Sequence, residues 1–173
     1  MPPGTGPIVF ERWIRGLLVL HALGAAALVG AATHQLLWCR GYLRGQYAAC
    51  ERERGMARVS AALYVLTFVL GAALYPTYKV RVRAAWFDVP LPAGDLGWVG
   101  RLFDIKEHWM ALGAAAALAL VWLGRSAHPA RWPASARLYV GLSLVVCATT
   151  WTGAIIGLVV ASYRAVGAVG GGP

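Results

Sequence analysis

The chain has 173 residues, of which 59% are hydrophobic and 13% are charged. A soluble domain carries about 25% charged and about 45–50% apolar residues, so this composition excludes an ordinary soluble domain and indicates an integral membrane protein. The net charge of +9 could point to nucleic acid. The basic residues, however, cluster at predicted helix ends and in loops, where they meet lipid headgroups. We therefore expect a lipid bilayer, and no nucleic acid, as a partner.

Four apolar stretches predict membrane-spanning helices, since about 20 mostly apolar residues cross the hydrocarbon core. The predicted helices cover residues 14–38, 58–76, 105–124 and 137–162. The first follows two arginines as a signal peptide would, but its apolar run exceeds the roughly 7–15 residues of a signal h-region. The predicted fold is all-α: an integral membrane four-helix bundle forming a single domain over residues 1–173. Its loops are short, except for one longer connection between the second and third helices.

The longer connection is expected over residues 76–104, on the side of the membrane from which the first helix starts. We call this side A and the opposite side, side B. From Tyr78 to Arg83 apolar and basic residues alternate, a pattern that favours an extended segment along the membrane surface. Asp104 and Glu107 have the spacing of a capping box. The third helix is therefore expected to start there, with His108 in its first turn.

The loops do not fix the orientation of the bundle, because the sixteen basic residues divide equally between the two sides and the positive-inside rule ties. Cys39 and Cys50 fall in one side B loop, where a disulfide and two free thiols both remain open. A bridge would require an oxidising compartment, which favours side B outside the cytoplasm and cytoplasmic termini. The arginine-rich, asparagine-free composition is typical of a GC-rich bacterial genome. The predicted location is therefore a bacterial inner membrane.

The histidines are the candidate functional residues. His21 and His34 lie thirteen residues apart on the first predicted helix, and His108 opens the third. An imidazole in hydrocarbon is costly and usually functional, and it is the commonest metal ligand. Because His21 and His108 both lie near side A, we predict that they ligate one haem b between helices 1 and 3. The basic residues at the level of its propionates are Arg15, Arg101 and Lys106.

Other uses of the histidines remain open. His34 and His128 offer a second haem site on side B, a less favourable one because His128 lies in a polar loop outside the membrane. Each imidazole could instead have a structural role, with a hydrogen bond to a carbonyl or hydroxyl group of a neighbouring helix. Quinone binding is a further alternative. Copper is less favoured, because soft Cu(I) sites use Met and Cys and the chain has only three methionines.

The predicted function is that of a b-type haem electron-transfer subunit, not catalytic alone, between a membrane donor such as quinol and a partner protein or subunit. The alternative is a non-redox accessory or scaffold subunit of a larger membrane complex. A proton-coupled transporter or a small-solute permease is less favoured. No acidic residue falls in the middle of a predicted helix, and few residues are available to line a polar path.

The segment 17–26, in which His21 is followed by a run of glycine and alanine, resembles the first helix of two kinds of small bacterial membrane protein. These are the CopD-like family and the cytochrome b561-like haem proteins. The resemblance covers this helix alone, and only His21 matches its motif. It implies a histidine-bearing helical bundle that binds haem or copper. The spacing of His21 and His34 also resembles that of the paired histidines of dihaem cytochromes b.

Overall fold

Four long helices make up most of the computed structural model, which describes residues 11–88 and 96–169. They are α1 (Ile14–Cys39), α2 (Cys50–Tyr78), α3 (Gly97–Ser126) and α4 (Pro133–Val169). Each is long and apolar enough to cross a membrane, and no strand is present among the residues described. The all-α fold with four candidate membrane-spanning helices confirms the prediction from composition. Their apolar outer surfaces place the protein in a lipid bilayer as a multi-pass membrane protein.

Three helices begin earlier than their apolar stretches indicate, and α4 does so by four residues, at Pro133 and not at residue 137. Helix α2 starts at Cys50 and not at residue 58, because Glu51 and Glu53 occupy its first turn, where carboxylates interact favourably with the helix dipole. Helix α3 starts at Gly97 and not at residue 105. The capping-box prediction is therefore wrong, and His108 lies three turns inside α3. Hydropathy locates the part of a helix that lipid surrounds, and polar turns continue beyond it.

The start of the connection between α2 and α3 is helical. A π-helical segment, Lys79–Phe87, continues directly from α2, so the prediction of an extended segment over residues 78–83 is wrong. The alternating pattern instead separates two kinds of contact. Val82 and Phe87 are buried in an apolar cluster with residues of α3 and α4, whereas the Arg83 guanidinium donates to Asp104 Oδ1 at 2.7 Å. Residues 89–95 of this connection lie outside the described part.

The helices form a ring in the order α1, α2, α3 and α4, each packed against the next, with α4 closing on α1. Helices α1 and α3 therefore face each other diagonally. Small residues allow the close approach, as is usual between helices in lipid. At Gly24 an added Cβ would lie 2.8 Å from Thr67 Cγ2, and at Gly153 it would meet the Met110 sulfur. Because α1 and α3 lie diagonally opposite each other, the interior of the bundle has room for a site.

Candidate functional site

A cavity of about 310 Å³ lies inside the bundle, in the half nearer side A. His21 is seven residues into α1, which places it about 10 Å from the start of that helix. All four helices contribute to the lining, whose polar and sulfur-containing residues are His21, Thr67, Lys106, Glu107, Met110 and Thr150, with glycines at Gly71 and Gly153. We call this the side A cavity. Phe68 and Phe103 add apolar walls, so the cavity combines an apolar interior with a few polar groups, as ligand sites do.

His21 offers free coordinating capacity in this cavity. Its Nδ1 atom is buried and has no hydrogen-bond partner among the residues described. The ring lies beside the Thr67 backbone. At Gly71 an added Cβ would lie 3.4 Å from His21 Cε1, so a larger residue at position 71 would crowd the ring. A neutral imidazole binds a metal through an unprotonated ring nitrogen, and the unpartnered Nδ1 of His21 is available for this.

Helix α3 brings a cation and a sulfur atom to the same cavity, one helical turn apart. The Lys106 ammonium lies 5.3 Å from the centre of the Phe103 ring, within the range of a cation–π contact. It is close enough to His21 for the two groups to interact electrostatically. The Met110 sulfur accepts a hydrogen bond from the Tyr64 hydroxyl at 3.6 Å. The cavity therefore offers an imidazole and a thioether as metal ligands and an ammonium for an anionic group.

Only part of the predicted haem site comes together in the structure. His21 and Lys106 both line the side A cavity, but His108 does not. His108 is exposed, and its Nδ1 lies 2.8 Å from the Asp104 carbonyl oxygen of its own helix. Arg15 and Arg101 are also exposed and are not part of the lining. The prediction that His108 pairs with His21 therefore receives no support from the cavity.

The structure does not bring His34 and His128 together in a second site. His34 is exposed on α1, with its Nδ1 2.8 Å from the Gly30 carbonyl oxygen and its ring edge-on to Trp38. His128 lies in the loop between α3 and α4, with its Nε2 3.8 Å from the sulfur of Cys50. These contacts are consistent with the alternative of structural roles for both histidines.

His128, Cys50 and Glu51 have ligand atoms within 4.8 Å of one another, as in a metal site. The hydrogen bonds favour a different interpretation. The Ala130 N–H donates to His128 Nδ1 at 3.3 Å, so a neutral imidazole carries its proton on Nε2 and directs it at the Cys50 sulfur. Arg54 also donates to Glu51 Oε1 at 3.0 Å. We interpret the group as a hydrogen-bonded cluster that closes the side B end of the bundle.

The sequence leaves open whether Cys39 and Cys50 form a disulfide, and the structure answers this question. Cys39 and Cys50 are both buried free thiols. The argument for orientation that depended on a bridge between them therefore has no support in the structure.

Sequence reasoning missed three residues of interest. Thr67 and Met110 line the side A cavity, and both could have been found from spacing, because Thr67 precedes Gly71 and Met110 follows Lys106 by one helical turn. Glu53, expected in a side B loop, is completely buried in the first turns of α2. Its Oε2 accepts a hydrogen bond from the Tyr42 hydroxyl at 3.1 Å. A carboxyl group buried in this way is uncommon and needs such partners.

Comparison with protein-family models, with curated proteins and with solved structures finds no match to this chain. The argument for function therefore rests on the geometry of the side A cavity.

Proposed function

We propose that this protein is a membrane-embedded electron-transfer subunit that holds a haem b in the side A cavity, with His21 as an axial ligand. The observation that carries the proposal is the unpartnered Nδ1 of His21 in a cavity lined by all four helices. Four-helix bundles hold cofactors in their core on side chains of facing helices. Helices α1 and α3 face each other diagonally here, which agrees with the predicted position between helices 1 and 3.

The residues around His21 fit such a group. Met110 brings a second type of haem ligand to the cavity, and a haem held by histidine and methionine would have a raised reduction potential. The Lys106 ammonium supplies a charge for a propionate. Gly71 and Gly153 keep space beside His21 and Met110. Bound haem would supply one-electron chemistry, and this chain would supply its ligands, its orientation and a medium of low polarity.

The proposal extends to the setting of the protein. Electrons would pass between a membrane donor, such as quinol, and a partner protein or subunit. The composition supports a location in a bacterial inner membrane. A non-redox accessory subunit is the alternative, and it differs in a property that is simple to measure, because a haem protein absorbs visible light.

The test is the absorption spectrum of protein purified in detergent from haem-replete cells, first oxidised and then reduced with dithionite. We expect a Soret band and sharpened α and β bands on reduction. His21→Ala should lose the haem, whereas His108→Ala, its matched control on an exposed site, should keep it. Met110→Leu conserves volume and should keep the haem with an altered spectrum. A colourless wild-type protein would contradict the function, and haem retained by His21→Ala would contradict the site.

A further inference from the structure

The interior of the bundle carries polar side chains at successive turns between the side A cavity and side B. On α2 these are Glu53, Ser60, Tyr64 and Thr67, each at most 2% exposed. Their spacings of seven, four and three residues place them on one face of the helix. On α1 the buried amide of Gln35 lies at a level between Glu53 and Ser60. We call these five residues the polar row.

Contacts with α4 determine the depth in the bundle of the row residues nearest side B. Tyr139 lies beside the Glu53 carboxyl group, which also accepts the hydrogen bond from Tyr42. Ser143 follows Tyr139 by one helical turn, about 6 Å, and its hydroxyl accepts a hydrogen bond from Gln35 Nε2 at 3.3 Å. The first two levels of the row, from side B inward, are therefore the Glu53 carboxyl group and the Gln35 amide.

The polar row reaches the side A cavity through the residues around Tyr64. The Tyr64 hydroxyl lies 3.1 Å from Thr149 Oγ1 and 3.6 Å from the Met110 sulfur. Thr67, about one turn nearer side A, lines the cavity and contacts the His21 ring through its backbone. The polar row therefore ends at the imidazole and the ammonium group of the side A cavity.

Hydrogen bonds between helices account for the paired side chains described above but not for every polar atom of the row. At two levels the row contains a buried polar atom without a hydrogen-bond partner among the described residues: Gln35 Oε1 and Ser60 Oγ. Leaving such an atom unsatisfied is destabilising, and bound water is what usually satisfies it. Side chains that serve only to join helices do not need this surplus of polar atoms. A chain of hydroxyl, amide and carboxyl groups with intervening water can pass protons.

We propose that the polar row conducts protons across the membrane, between Glu53 at side B and the side A cavity. Glu53, at the side B end of the row, can bind and release a proton, and relays that include such groups are the usual means of proton movement within membranes. No covalent bond changes along the path except those to the transferred protons. Each proton that crosses leaves a charge imbalance, which a counter-ion must compensate. The proposal does not depend on haem.

The experiment uses the full chain in liposomes that enclose a pH-sensitive dye. A potassium gradient with valinomycin sets the membrane potential and supplies the compensating charge. We expect the wild-type protein to carry protons faster than protein-free vesicles, and Glu53→Gln to lose that increment. Glu51→Gln removes an exposed carboxylate two residues away and should conduct like the wild type. Gln35→Leu, which interrupts the next level, should conduct like Glu53→Gln.

Three results would overturn the proposal. These are a wild-type flux equal to that of empty vesicles, an unchanged flux in both Glu53→Gln and Gln35→Leu, or an equal loss in Glu51→Gln. Size-exclusion profiles matching the wild type show that a variant is folded, and Gln35→Leu serves if Glu53→Gln is not. The absorption spectrum of each variant is recorded in parallel. A lost flux with an unchanged spectrum separates the proton path from the haem site.

Discussion

Gly113 is the position at which the bundle interior has least room. A Cβ added there would overlap the Tyr64 hydroxyl and Thr149 Oγ1. These two oxygen atoms are joined by the hydrogen bond of 3.1 Å in the middle of the polar row. Both belong to buried side chains on other helices, so neither can turn into open space. We predict that Gly113→Ala destabilises the bundle.

The expected size follows from three contributions. Forcing an additional methyl group into a packed interior costs about 1–3 kcal/mol, and losing the Tyr64–Thr149 hydrogen bond costs about 1 kcal/mol more. Alanine recovers about 1 kcal/mol, because glycine is the poorer helix former. The net loss is about 1–3 kcal/mol. At about 2–4 °C per kcal/mol for a chain of this size, Tm should fall by about 2–12 °C.

The measurement is thermal unfolding in detergent, followed by circular dichroism, with Gly141→Ala as the matched control. Nothing lies within 4 Å of a Cβ added at Gly141, which also lies in a helix. That variant should therefore keep or slightly raise the wild-type Tm. If Gly113→Ala is as stable as Gly141→Ala, the packing of α3 against Tyr64 and Thr149 described above is wrong.

Two further predictions concern the surface and the thiols. Arg83 bonds Asp104 and lies 3.5 Å from Asp88, so Arg83→Gln should lower Tm by about 2–4 °C, equivalent to about 1 kcal/mol for a partly exposed ion pair. The loss of Tm should be smaller in high salt. The control variant Arg101→Gln should show no loss of Tm. An unchanged Tm of Arg83→Gln at low salt would refute the role of Arg83. Thiol titration in SDS without reductant should count three free thiols per chain. A count of one would reveal a disulfide.

The sequence was sufficient for the membrane spans but not for the helix ends. Lipid requires an apolar stretch of fixed length, so hydropathy located α1 to within one residue of its end. The first turns of α2 and α3 extend beyond the apolar stretches, and nothing in hydropathy marks their start. The position of His108 follows from helical geometry and not from the helix ends. Two residues on a helix point about 200° apart, so Lys106 faces the cavity and His108 faces outward.

The polar row lies mostly on one helix. Glu53, Ser60, Tyr64 and Thr67 share a face of α2, and their spacings of seven, four and three residues are visible in the sequence. Sequence spacing does not show which residues of the other helices meet this face. Gln35 of α1 joins the row through the register between helices, which depends on contacts such as the one between Gly24 and Thr67.

The proposed haem site and the polar row meet at one hydroxyl group. Tyr64 has a single O–H donor, and both Thr149 Oγ1 and the Met110 sulfur are within its reach. It can donate to only one of them at a time. If the Met110 sulfur is engaged as an axial ligand, the Tyr64 hydroxyl is left to donate to Thr149, which orients the middle of the row. Tyr64→Phe should therefore reduce proton flux and, through Met110, alter the haem spectrum, whereas Ser60→Ala should affect the flux alone.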